Sequence, residues 1–584
     1  MRVSDARSFT THDGVNLYYR HWPAVANNAA PRRALVMFHR GHEHSGRMAH
    51  LADELDIPGF DIFAWDARGH GQSPGPRGDS PSFATSVRDV QTFIAHICRH
   101  HEIDEADIVV LAQSVGAVIV STWVHDYAPK IRALVLASPA FQVKLYVPFA
   151  RQCLAMLRAW RGNFFINSYV KPQLLTHDAG RIASYQRDPL IAKAISVNML
   201  LGLYQAGERV VADAEAIHVP TQLLISGADY VVRRKPQEEF FARLGSARKE
   251  KHILPGFFHD TLGERDRYQA VGRVRRFILQ SFQKDSEPPC LLDADSIGPS
   301  CAEAEELASA LPPLSMHNLY WRAMRTGIQV AAKVSDGVRL GVETGFDSGS
   351  TLDYVYRNCP SSSSALGRLV DRYYLKSIGW RGIRQRKRHL EELLQLGISS
   401  LNEAGEPVRI VDIAAGHGRY VLEAMEQVEP LPTSILLRDY SDLNVRDGDR
   451  LIREKGLDAI ARFIKADAFD QAGLAALDPK PTLAVVSGLY ELFSDNHLLR
   501  SSLAGLAEAV PAGGYLLYTG QPWHPQLELI ARVLTSHRDG KPWVMRRRSQ
   551  VEMDQLVEAA GFRKLTQRID EWGIFSVSLA QRIS

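Results

Sequence analysis

The chain has 584 residues, of which 45% are hydrophobic and 23% are charged, and its formal net charge at pH 7 is +3. These proportions are ordinary for globular domains, and a charge so close to zero argues against nucleic acid as the main partner. The length is sufficient for two domains, each with its own core.

The cysteines and the apolar runs indicate in which cellular compartment the protein is expected. The 5 cysteines are scattered and form neither a C-x-x-C pair nor a histidine ligand spacing. An odd, scattered set predicts a reducing compartment and no structural metal. Residues 1–7 lack the apolar core of a signal peptide, and no apolar run reaches the length of about 18 residues that a transmembrane helix needs. We therefore expect a cytoplasmic protein without a transmembrane segment, with peripheral membrane contact left open.

The first strong pattern along the chain is an apolar strand, residues 34–38, followed by the turn His39-Arg40-Gly41-His42. A second strand, residues 61–65, leads into the glycine-rich run from Asp66 to Gly78. A glycine turn after the first of these strands can offer a backbone N–H group to a developing oxyanion.

The most informative segment is Val109-Val110-Leu111-Ala112-Gln113-Ser114-Val115-Gly116. An apolar strand runs into Ser114, with small residues two positions before and after it. This pattern is typical of a nucleophile elbow, the sharp strand-to-helix turn that presents a serine hydroxyl. Because Ala112 stands where glycine is usual, the motif indicates a nucleophile only when its partners are also present.

The partners follow in order. The strand-like run 221–229 ends in Gly-Ala-Asp at Asp229, and the run 252–259 ends at His259. The order serine, acid, histidine is that of α/β-hydrolases, in which the histidine takes the serine proton and the acid orients the imidazole. Three unrelated loop residues are the alternative, but their order after strand-like runs favours a catalytic triad of Ser114, Asp229 and His259.

The loops 39–47 and 66–78 together resemble the monoacylglycerol lipase and lysophospholipase branch of the α/β-hydrolases, whose pattern reads H-G-x-G-E-H-S-G-R and then D-x-R-G-H-G-x-S-x-G. The resemblance implies an α/β-hydrolase fold with a helical cap and an oxyanion hole made by the N–H groups of Gly41 and Val115. The chain departs from the pattern at Arg40 and His42, where the family has glycines. These two side chains either reshape the site and bring positive charge to an anionic head group, or point away from it.

Residues 141–215 correspond to the cap in this fold. The stretch is rich in apolar and aromatic residues, with arginines at 151, 158 and 161 between them. Such a run could meet a membrane surface or an acyl chain. Packing of the cap on its own domain is the favoured alternative for most of it. An apolar cap predicts a small-molecule or lipid ester as substrate, such as a monoacylglycerol or a lysophospholipid.

The composition changes after residue 283, the predicted end of the hydrolase domain 1–283. Prolines, acids and small residues between 284 and 315 predict a linker with one short helix at 301–310. A helical extension is expected over 316–400, followed by a second α/β domain over 401–584.

The second domain opens with a strand and a glycine-rich turn, from Asp412 through Ala414 and Gly416 to Gly418. The next two strands each end in an acid, Asp439 and Asp467, as in a βαβ nucleotide site. A dinucleotide-binding dehydrogenase is the main alternative. It normally keeps a third glycine so that a pyrophosphate can approach the helix, and here Tyr420 and Val421 stand at the positions where that glycine would fall.

This series resembles a class I S-adenosylmethionine-dependent methyltransferase with a Rossmann-like fold, across about residues 316–584. The resemblance implies that the cofactor S-adenosylmethionine contacts Asp412, Ala414, Gly416 and Gly418, with Asp439 on its ribose and Asp467 on its adenine amino group. The whole chain is similar to bacterial bifunctional fusions of the two domains. It predicts ester hydrolysis through an acyl-enzyme and methyl transfer to an unknown acceptor. Two alternatives stay open: acyl transfer by Ser114, and a methyltransferase-like domain that only binds or regulates.

The helical extension contains several aromatic residues and the basic run 381–388. In this class of methyltransferases such extensions often cover the acceptor site. The basic run could meet an anionic substrate, but a solvated helix face is the favoured reading. No general base for methyl transfer stands out in the sequence.

Overall fold

The computed structural model describes residues 2–25, 31–168, 170–284, 287–538 and 540–583, and the chain forms two compact units, residues 1–289 and 290–584. Residues 285 and 286 of the predicted linker, and residue 584 at the end of the predicted second domain, lie outside the described residues. Among the described residues, no helix combines the length and the apolar character required to cross a lipid bilayer.

The first unit is built on an eight-stranded sheet with the order β1-β2-β4-β3-β5-β6-β9-β10. Strands β1 and β2 are antiparallel to their neighbours, and the other strands run parallel. The sheet strands are β1 (Asp5–Thr10), β2 (Asn16–Trp22), β3 (Arg33–Phe38), β4 (Phe60–Trp65), β5 (Ile108–Gln113), β6 (Ala133–Ala137), β9 (Thr221–Ser226) and β10 (Lys249–Leu254). This topology confirms the predicted α/β-hydrolase fold.

Helices cover both faces of this sheet, which is why its central strands read as continuous apolar runs. They are α1 (Leu51–Glu54), α2 (Phe83–His101), α3 (Val115–Tyr127), α7 (Arg234–Arg243) and α8 (Tyr268–Ser281). The long helix α2 begins where the Ser82 side chain accepts a hydrogen bond from the Thr85 N–H, and it ends at Glu102 in a left-handed conformation with φ 52°. The strand β5 that leads to Ser114 is buried along its whole length. Packing on both faces therefore fixes the backbone that enters the elbow.

The cap lies between β6 and β9, as predicted from residues 141–215. It consists of α4 (Ala150–Arg161), the antiparallel pair β7 (Phe165–Asn167) and β8 (Ala194–Ser196), α5 (Ala179–Arg187) and α6 (Val197–Ala212). Helix α6 packs on the domain with most of its residues buried, but every residue of α4 is at least partly exposed. The favoured reading of a packed cap therefore fits α6, whereas α4 lies against α6 and leaves most of its own surface exposed.

The second unit contains a seven-stranded sheet with the order β13-β12-β11-β14-β15-β17-β16. Its strands are β11 (Arg409–Asp412), β12 (Ser434–Asp439), β13 (Ala461–Lys465), β14 (Leu483–Val486), β15 (Tyr515–Gly520), β16 (Phe562–Ile569) and β17 (Ser576–Arg582). The first five run parallel, and β17 lies antiparallel between β15 and β16. The predicted Rossmann-like methyltransferase fold, with its closing antiparallel hairpin, is confirmed.

Helices α14, α15 and α16 pack on one face of this sheet, and α17, α18 and α20 pack on the other. A third apolar cluster joins α12, α13 and the start of α14 to α19. The helices of this unit are α9 (Pro299–Ala308), α10 (Met316–Ala332), α11 (Asp336–Thr344), α12 (Gly349–Arg357), α13 (Ala365–Leu375), α14 (Ile378–Glu403), α15 (Arg419–Ala424), α16 (Asp442–Glu454), α17 (Gln471–Ala475), α18 (Asn496–Ala509), α19 (Leu527–Val533) and α20 (Gln550–Ala559).

Much of the predicted linker is bound to the second unit. The Asn496 side-chain amide donates to the Leu292 carbonyl over 3.0 Å. Arg546 and Arg547 donate to Ser300 and Glu303, which both belong to α9. Side-chain contacts of this kind cannot be read from a local composition rich in proline and acids, which is why the sequence indicates a linker here.

Candidate active sites

The elbow serine sits in a strained turn. Ser114 joins β5 to α3 with φ 54° and ψ −116°, a conformation that non-glycine residues rarely adopt. Glycine is required two positions later, because a Cβ atom at Gly116 would lie 2.4 Å from the His39 carbonyl oxygen. The turn thus lifts the Ser114 side chain to the carboxyl edge of the parallel strands.

The structure brings the three predicted triad residues together. Nε2 of His259 lies 2.7 Å from the Ser114 hydroxyl oxygen, and Nδ1 of His259 lies 2.7 Å from a carboxylate oxygen of Asp229. Ser114 and His259 are buried, with 4% and 2% of their surfaces exposed. Both contacts are within the range in which a base can take a proton from a nucleophile and an acid can orient that base.

The acid is held by the backbone as well as by the histidine. The second oxygen of Asp229 accepts hydrogen bonds from the N–H groups of Val231 and Val232, at 2.7 Å and 3.0 Å. Burial acts to raise the pKa of Asp229, but His259 and these two N–H groups outweigh it and lower the pKa below its usual value. The carboxylate is therefore ionised near neutral pH and can stabilise a protonated imidazole.

Gly41 and Val115 lie side by side next to the elbow. A Cβ atom at Gly41 would be 3.0 Å from Cγ2 of Val115, so a side chain at position 41 would crowd that neighbour. Neither backbone N–H group has a hydrogen-bond partner in the part of the chain that the structure describes. Two free N–H groups beside a nucleophile form the arrangement that binds an oxyanion.

Arg40 and His42, which replace the family's glycines, differ in their surroundings. The Arg40 guanidinium is buried, donates two 2.7 Å hydrogen bonds to Glu43 and lies 3.7 Å from Asp260. Burial lowers the pKa of His42 to about 4, so its ring is neutral at pH 7. Of the two alternatives for these residues, the pairing of Arg40 with acids and the neutral ring of His42 speak against a positive charge offered to an anionic head group.

A buried network behind the triad was not anticipated from the sequence. Asp260, the residue after His259, accepts a hydrogen bond from the Gln113 side chain over 3.1 Å and one from Arg181 over 3.0 Å. Burial acts to raise the pKa of Asp260, but Arg40 and Arg181 keep it well below its usual range. The strand position of Gln113 was visible in the sequence, but its partner is distant along the chain and no local signal indicated it.

A separate cluster, His12, Asp13 and Asp89, brings three potential metal ligands within 4.8 Å of one another. The guanidinium of Arg68 donates hydrogen bonds to both carboxylates. Arg68 thus already supplies the positive charge that the two acids require, and it fixes the glycine-rich loop 66–78 beside the sheet.

In the second unit a cavity of about 680 Å³ opens at the carboxyl ends of β11, β12 and β14. Five of the predicted cofactor residues line it: Ala414, Gly416, Gly418, Asp439 and Asp467. The glycines adopt positive φ angles of 59° and 71°, and a Cβ atom at Gly418 would lie 2.4 Å from the Leu437 side chain. The loop therefore follows a path that only glycine allows.

Asp439 anchors the wall of this cavity. One of its oxygens accepts a hydrogen bond from the Gly416 N–H over 3.0 Å, and the other accepts from the Ser441 N–H and the Asn444 amide. Burial raises the pKa of Asp439 above its usual value, against the effect of these donors. The carboxyl group thus couples the glycine loop to the end of β12 while remaining at the cavity surface.

Asp412 is placed differently from the other predicted cofactor residues. It is fully buried behind the loop, where it accepts hydrogen bonds from the Tyr420 hydroxyl over 2.5 Å and from the Ala414 N–H over 3.4 Å. Burial raises the pKa of Asp412 to about 7. It is absent from the residues that line the cavity, so its role in this structure is to shape the loop.

The donor set in the cavity fits a nucleoside-sized ligand without phosphates. Asp439 and Asp467, at the ends of neighbouring strands, would repel a pyrophosphate but can accept hydrogen bonds from hydroxyl and amino groups. Residues 343–353 of the helical extension form part of the wall, together with the aromatic residues Tyr356 and Phe469. Sequence reasoning missed these side chains, since they reach the cavity from elements far apart along the chain.

Family models match both halves of the chain. Residues 274–582 match the model described as "Putative methyltransferase", and residues 29–266 match the model described as "Serine aminopeptidase, S33". The first range covers strands β3 to β10 of the first sheet, the second covers the whole second sheet, and together they show a hydrolase half and a methyltransferase half in one chain.

One similar relative spans the whole chain, and another spans about half of it. A protein of Escherichia coli (strain K12) described as "Uncharacterized protein YnbC" is 57% identical over 100% of this chain and 99% of its own length. The monoacylglycerol lipase of Mycolicibacterium smegmatis is 24% identical over 47% of this chain and 99% of its own. The crystal structure of Paleococcus ferrophilus monoacylglycerol lipase, at 22% identity, covers 48% of this chain and 99% of its own with a TM-score of 0.40.

Proposed function

This chain belongs to that methyltransferase family, with a hydrolase domain preceding it, and we propose that it is a bifunctional enzyme that cleaves a carboxylic ester and transfers a methyl group from S-adenosylmethionine. The hydrogen-bonded series Ser114, His259 and Asp229, with two 2.7 Å contacts, is the single observation that carries the hydrolase half. The cavity lined by Gly416, Gly418, Asp439 and Asp467 carries the transferase half.

In the hydrolase half, the Ser114 oxygen attacks the ester carbonyl carbon while His259 takes the hydroxyl proton. The carbonyl oxygen becomes an oxyanion, which the N–H groups of Gly41 and Val115 bind, and His259 then returns the proton to the leaving alcohol. Water, activated by the same histidine, hydrolyses the acyl-enzyme. Acyl transfer to an alcohol instead of water uses the same intermediate and stays an alternative.

The proposed substrate is a lipid-like ester with an uncharged head group. Several lipase relatives are named for monoacylglycerols. Arg40, Arg47 and Arg181 each contact Glu43 or Asp260, so among the described residues none of these three is an unpaired cation for a phosphate, which favours a monoacylglycerol over a lysophospholipid. Helix α4 presents Met156 and Trp160 with 73% and 85% of their surfaces exposed, and such a face suits peripheral contact with a lipid surface.

In the methyltransferase half, the glycine loop would approach the methionine part of the cofactor, Asp439 would hold its ribose, and Asp467 beside Phe469 would hold its adenine. When bound, S-adenosylmethionine supplies a methyl group activated by a positively charged sulfur. Asp412, which accepts a hydrogen bond from Tyr420 behind the loop, would act on the cofactor by shaping that loop. The cytoplasmic location stays a prediction.

A fluorophosphonate probe tests the hydrolase half. We expect the full chain to be labelled at Ser114 and to cleave p-nitrophenyl esters, and Ser114→Ala to lose both. Ser8→Ala, an exposed serine of β1, is the matched control and should behave as the wild type. Labelling that persists in Ser114→Ala would remove the basis for the proposed nucleophile.

Calorimetry with S-adenosylmethionine tests the transferase half. The wild type should bind, and Asp439→Ala should bind at least about tenfold more weakly, since a carboxylate that accepts ligand hydrogen bonds is lost. Asp442→Ala, at the start of α16 three residues later and outside the cavity wall, is the control. No binding by the wild type would favour a hydrolase that carries a non-catalytic methyltransferase-like domain.

A further inference from the structure

A second cavity of about 510 Å³ lies next to the proposed cofactor cavity and shares with it Asp347, Leu352, Arg386, Gly488 and Leu492. Most of its wall is apolar, and much of that is aromatic: Phe346, Tyr374, Trp380, Trp543 and Phe575. Its size lies within the range of small-molecule sites. No step of the proposed function uses this cavity.

The cavity has one polar end. Glu491 lines it and is 6% exposed, yet neither of its carboxylate oxygens has a hydrogen-bond partner among the described residues. Its closest cation is Arg386, whose Nη1 lies 3.7 Å away and whose Nε is also without a hydrogen-bond partner in the described chain. A buried carboxylate without donors costs free energy unless a ligand supplies them.

This polar end lies where the two cavities meet. Glu491 belongs to the short turn Tyr490–Leu492, just after Gly488 at the end of β14. Gly488 has φ 70°, and a Cβ atom there would lie 3.0 Å from the Arg386 guanidinium. The backbone at Gly488 thus keeps the junction open, and the carboxylate stands beside it.

We propose that this cavity binds the methyl acceptor, and that the acceptor is a small aromatic compound whose hydroxyl group donates a hydrogen bond to Glu491. The inference rests on the proposed methyltransferase function and names its substrate class. The aromatic wall receives the ring of the acceptor, and the polar end receives its hydroxyl group.

The charges at the polar end favour an uncharged acceptor. Arg386 and Glu491 already neutralise one another, so a carboxylate or an ammonium group would add an unpaired buried charge. His524 is neutral as well, because burial lowers its pKa to about 4, and its Nδ1 accepts a hydrogen bond from the Gln526 N–H. The Gln521 amide carries no charge. Asp347, which also lines the cavity, already accepts hydrogen bonds from the Ser536 hydroxyl and the His537 N–H, and Lys376 is exposed to solvent.

The chemistry of the carboxylate favours a phenol over an aliphatic alcohol. A phenolic hydroxyl, with a pKa of about 10 in tyrosine, gives up its proton far more readily than an alkyl hydroxyl. Glu491 takes the hydroxyl proton as the oxygen forms its bond to the methyl carbon. The sulfur–carbon bond breaks at the same time, and its electron pair stays on the sulfur, so the acceptor leaves as a neutral aryl methyl ether.

Direct binding tests this assignment independently of turnover. We expect 2-naphthol to bind the full chain and to change the fluorescence of Trp380 and Trp543, which line the cavity. Ala331→Phe, which places a ring in the same cavity, should weaken naphthol binding at least about tenfold and leave S-adenosylmethionine binding intact. Dodecanol, laurate and dodecylamine are the comparison ligands.

The carboxylate is tested with an isosteric change. Glu491→Gln should weaken naphthol binding and abolish its methylation, while S-adenosylmethionine still binds and so reports an intact fold. Glu508→Gln, an exposed acid of α18, should change neither. Naphthol binding that Glu491→Gln leaves unchanged, or preferential binding of laurate or dodecylamine, would overturn the acceptor assignment. Absence of cofactor binding would instead overturn the proposed methyltransferase function.

Discussion

The side-chain amide of Gln113 donates a hydrogen bond to Asp260 over 3.1 Å, and so ties the residue before the elbow serine to the residue after the triad histidine. Asp260 is in turn held by Arg181. These hydrogen bonds hold together the two loops that carry Ser114 and His259 at the sheet edge. They thereby help to fix the distance between the two catalytic side chains.

Removal of this link should slow the hydrolase without weakening substrate binding. We expect Gln113→Ala to lower kcat for an ester by about tenfold, since small misplacements of catalytic groups are costly, and to leave KM nearly unchanged. Steady-state kinetics of the full chain measure both constants. Gln186→Ala, exposed on α5, is the control. A Gln113→Ala variant with raised KM and normal kcat would contradict a positioning role.

The oxyanion hole can be tested through the spacing at Gly41. A methyl group at this position would lie 3.0 Å from Cγ2 of Val115 and push the two N–H groups apart. We expect Gly41→Ala to reduce kcat by about tenfold or more, because donors aimed at a developing oxyanion act mainly in the transition state. At Gly59 no atom lies within 4 Å of the carbon that an alanine would add, so the kcat of Gly59→Ala should equal that of the wild type. Equal rates in both variants would argue against Gly41 as a donor.

Helix α4 should bind lipid surfaces. Replacement of Met156, Leu157 and Trp160 by serine removes apolar side chains that are 73%, 45% and 85% exposed, so folding should be little changed while vesicle binding falls. Co-sedimentation with neutral phospholipid vesicles measures this. Leu396→Ser, exposed on α14 of the other unit, serves as the control. Sedimentation of the triple variant at the wild-type level would exclude α4 as the contact surface.

Asp412 should make the second unit less stable as the pH rises. Its folded pKa is raised to about 7 by burial, above the unfolded value, so the folded state holds the proton more tightly. The Asp412 carboxyl group is protonated in both the folded and the unfolded state well below pH 4, and it is ionised in both states well above pH 7. The contribution of Asp412 to stability is therefore full at low pH and is lost as the pH rises through this window, by about 1.4 kcal/mol per unit of pKa difference.

The isosteric variant Asp412→Asn isolates this effect. We expect its unfolding temperature, measured by calorimetry of the full chain at pH 5 and pH 8, to depend less on pH than that of the wild type. The affected transition is the one whose midpoint temperature rises when S-adenosylmethionine is added, and this response assigns it to the second unit. Identical pH dependence in the two proteins would show that Asp412 does not titrate in this range.

Much of the candidate chemistry was predictable because it lies at strand ends. In parallel sheets the carboxyl ends of the strands meet at one edge, so Ser114, Asp229 and His259 converge once each strand is recognised. The same reasoning brought Gly416, Asp439 and Asp467 to one cavity. Asp412 is the instructive exception, since it ends β11 like the others but turns inward to Tyr420.

Side chains that act through distant partners were not predictable. Arg40 reads as an unpaired cation in the sequence, and only the fold shows that Glu43 and Asp260 surround it. Glu491 is one acid among many, and its significance depends on the absence of hydrogen-bond donors to it in the described chain. The amphipathic pattern of α4 is equally compatible with a packed and an exposed helix.

The sequence by itself determined the two folds, the order of the triad residues and the glycine positions, because strand periodicity and glycine-dependent turns are local properties of a chain. Only the tertiary structure decided which charges are neutralised, which apolar face stays exposed at α4 and which carboxyl groups face a cavity. Those outcomes depend on burial and on contacts between residues far apart in sequence, and the free energy of a buried charge is set by whatever neighbour the fold supplies.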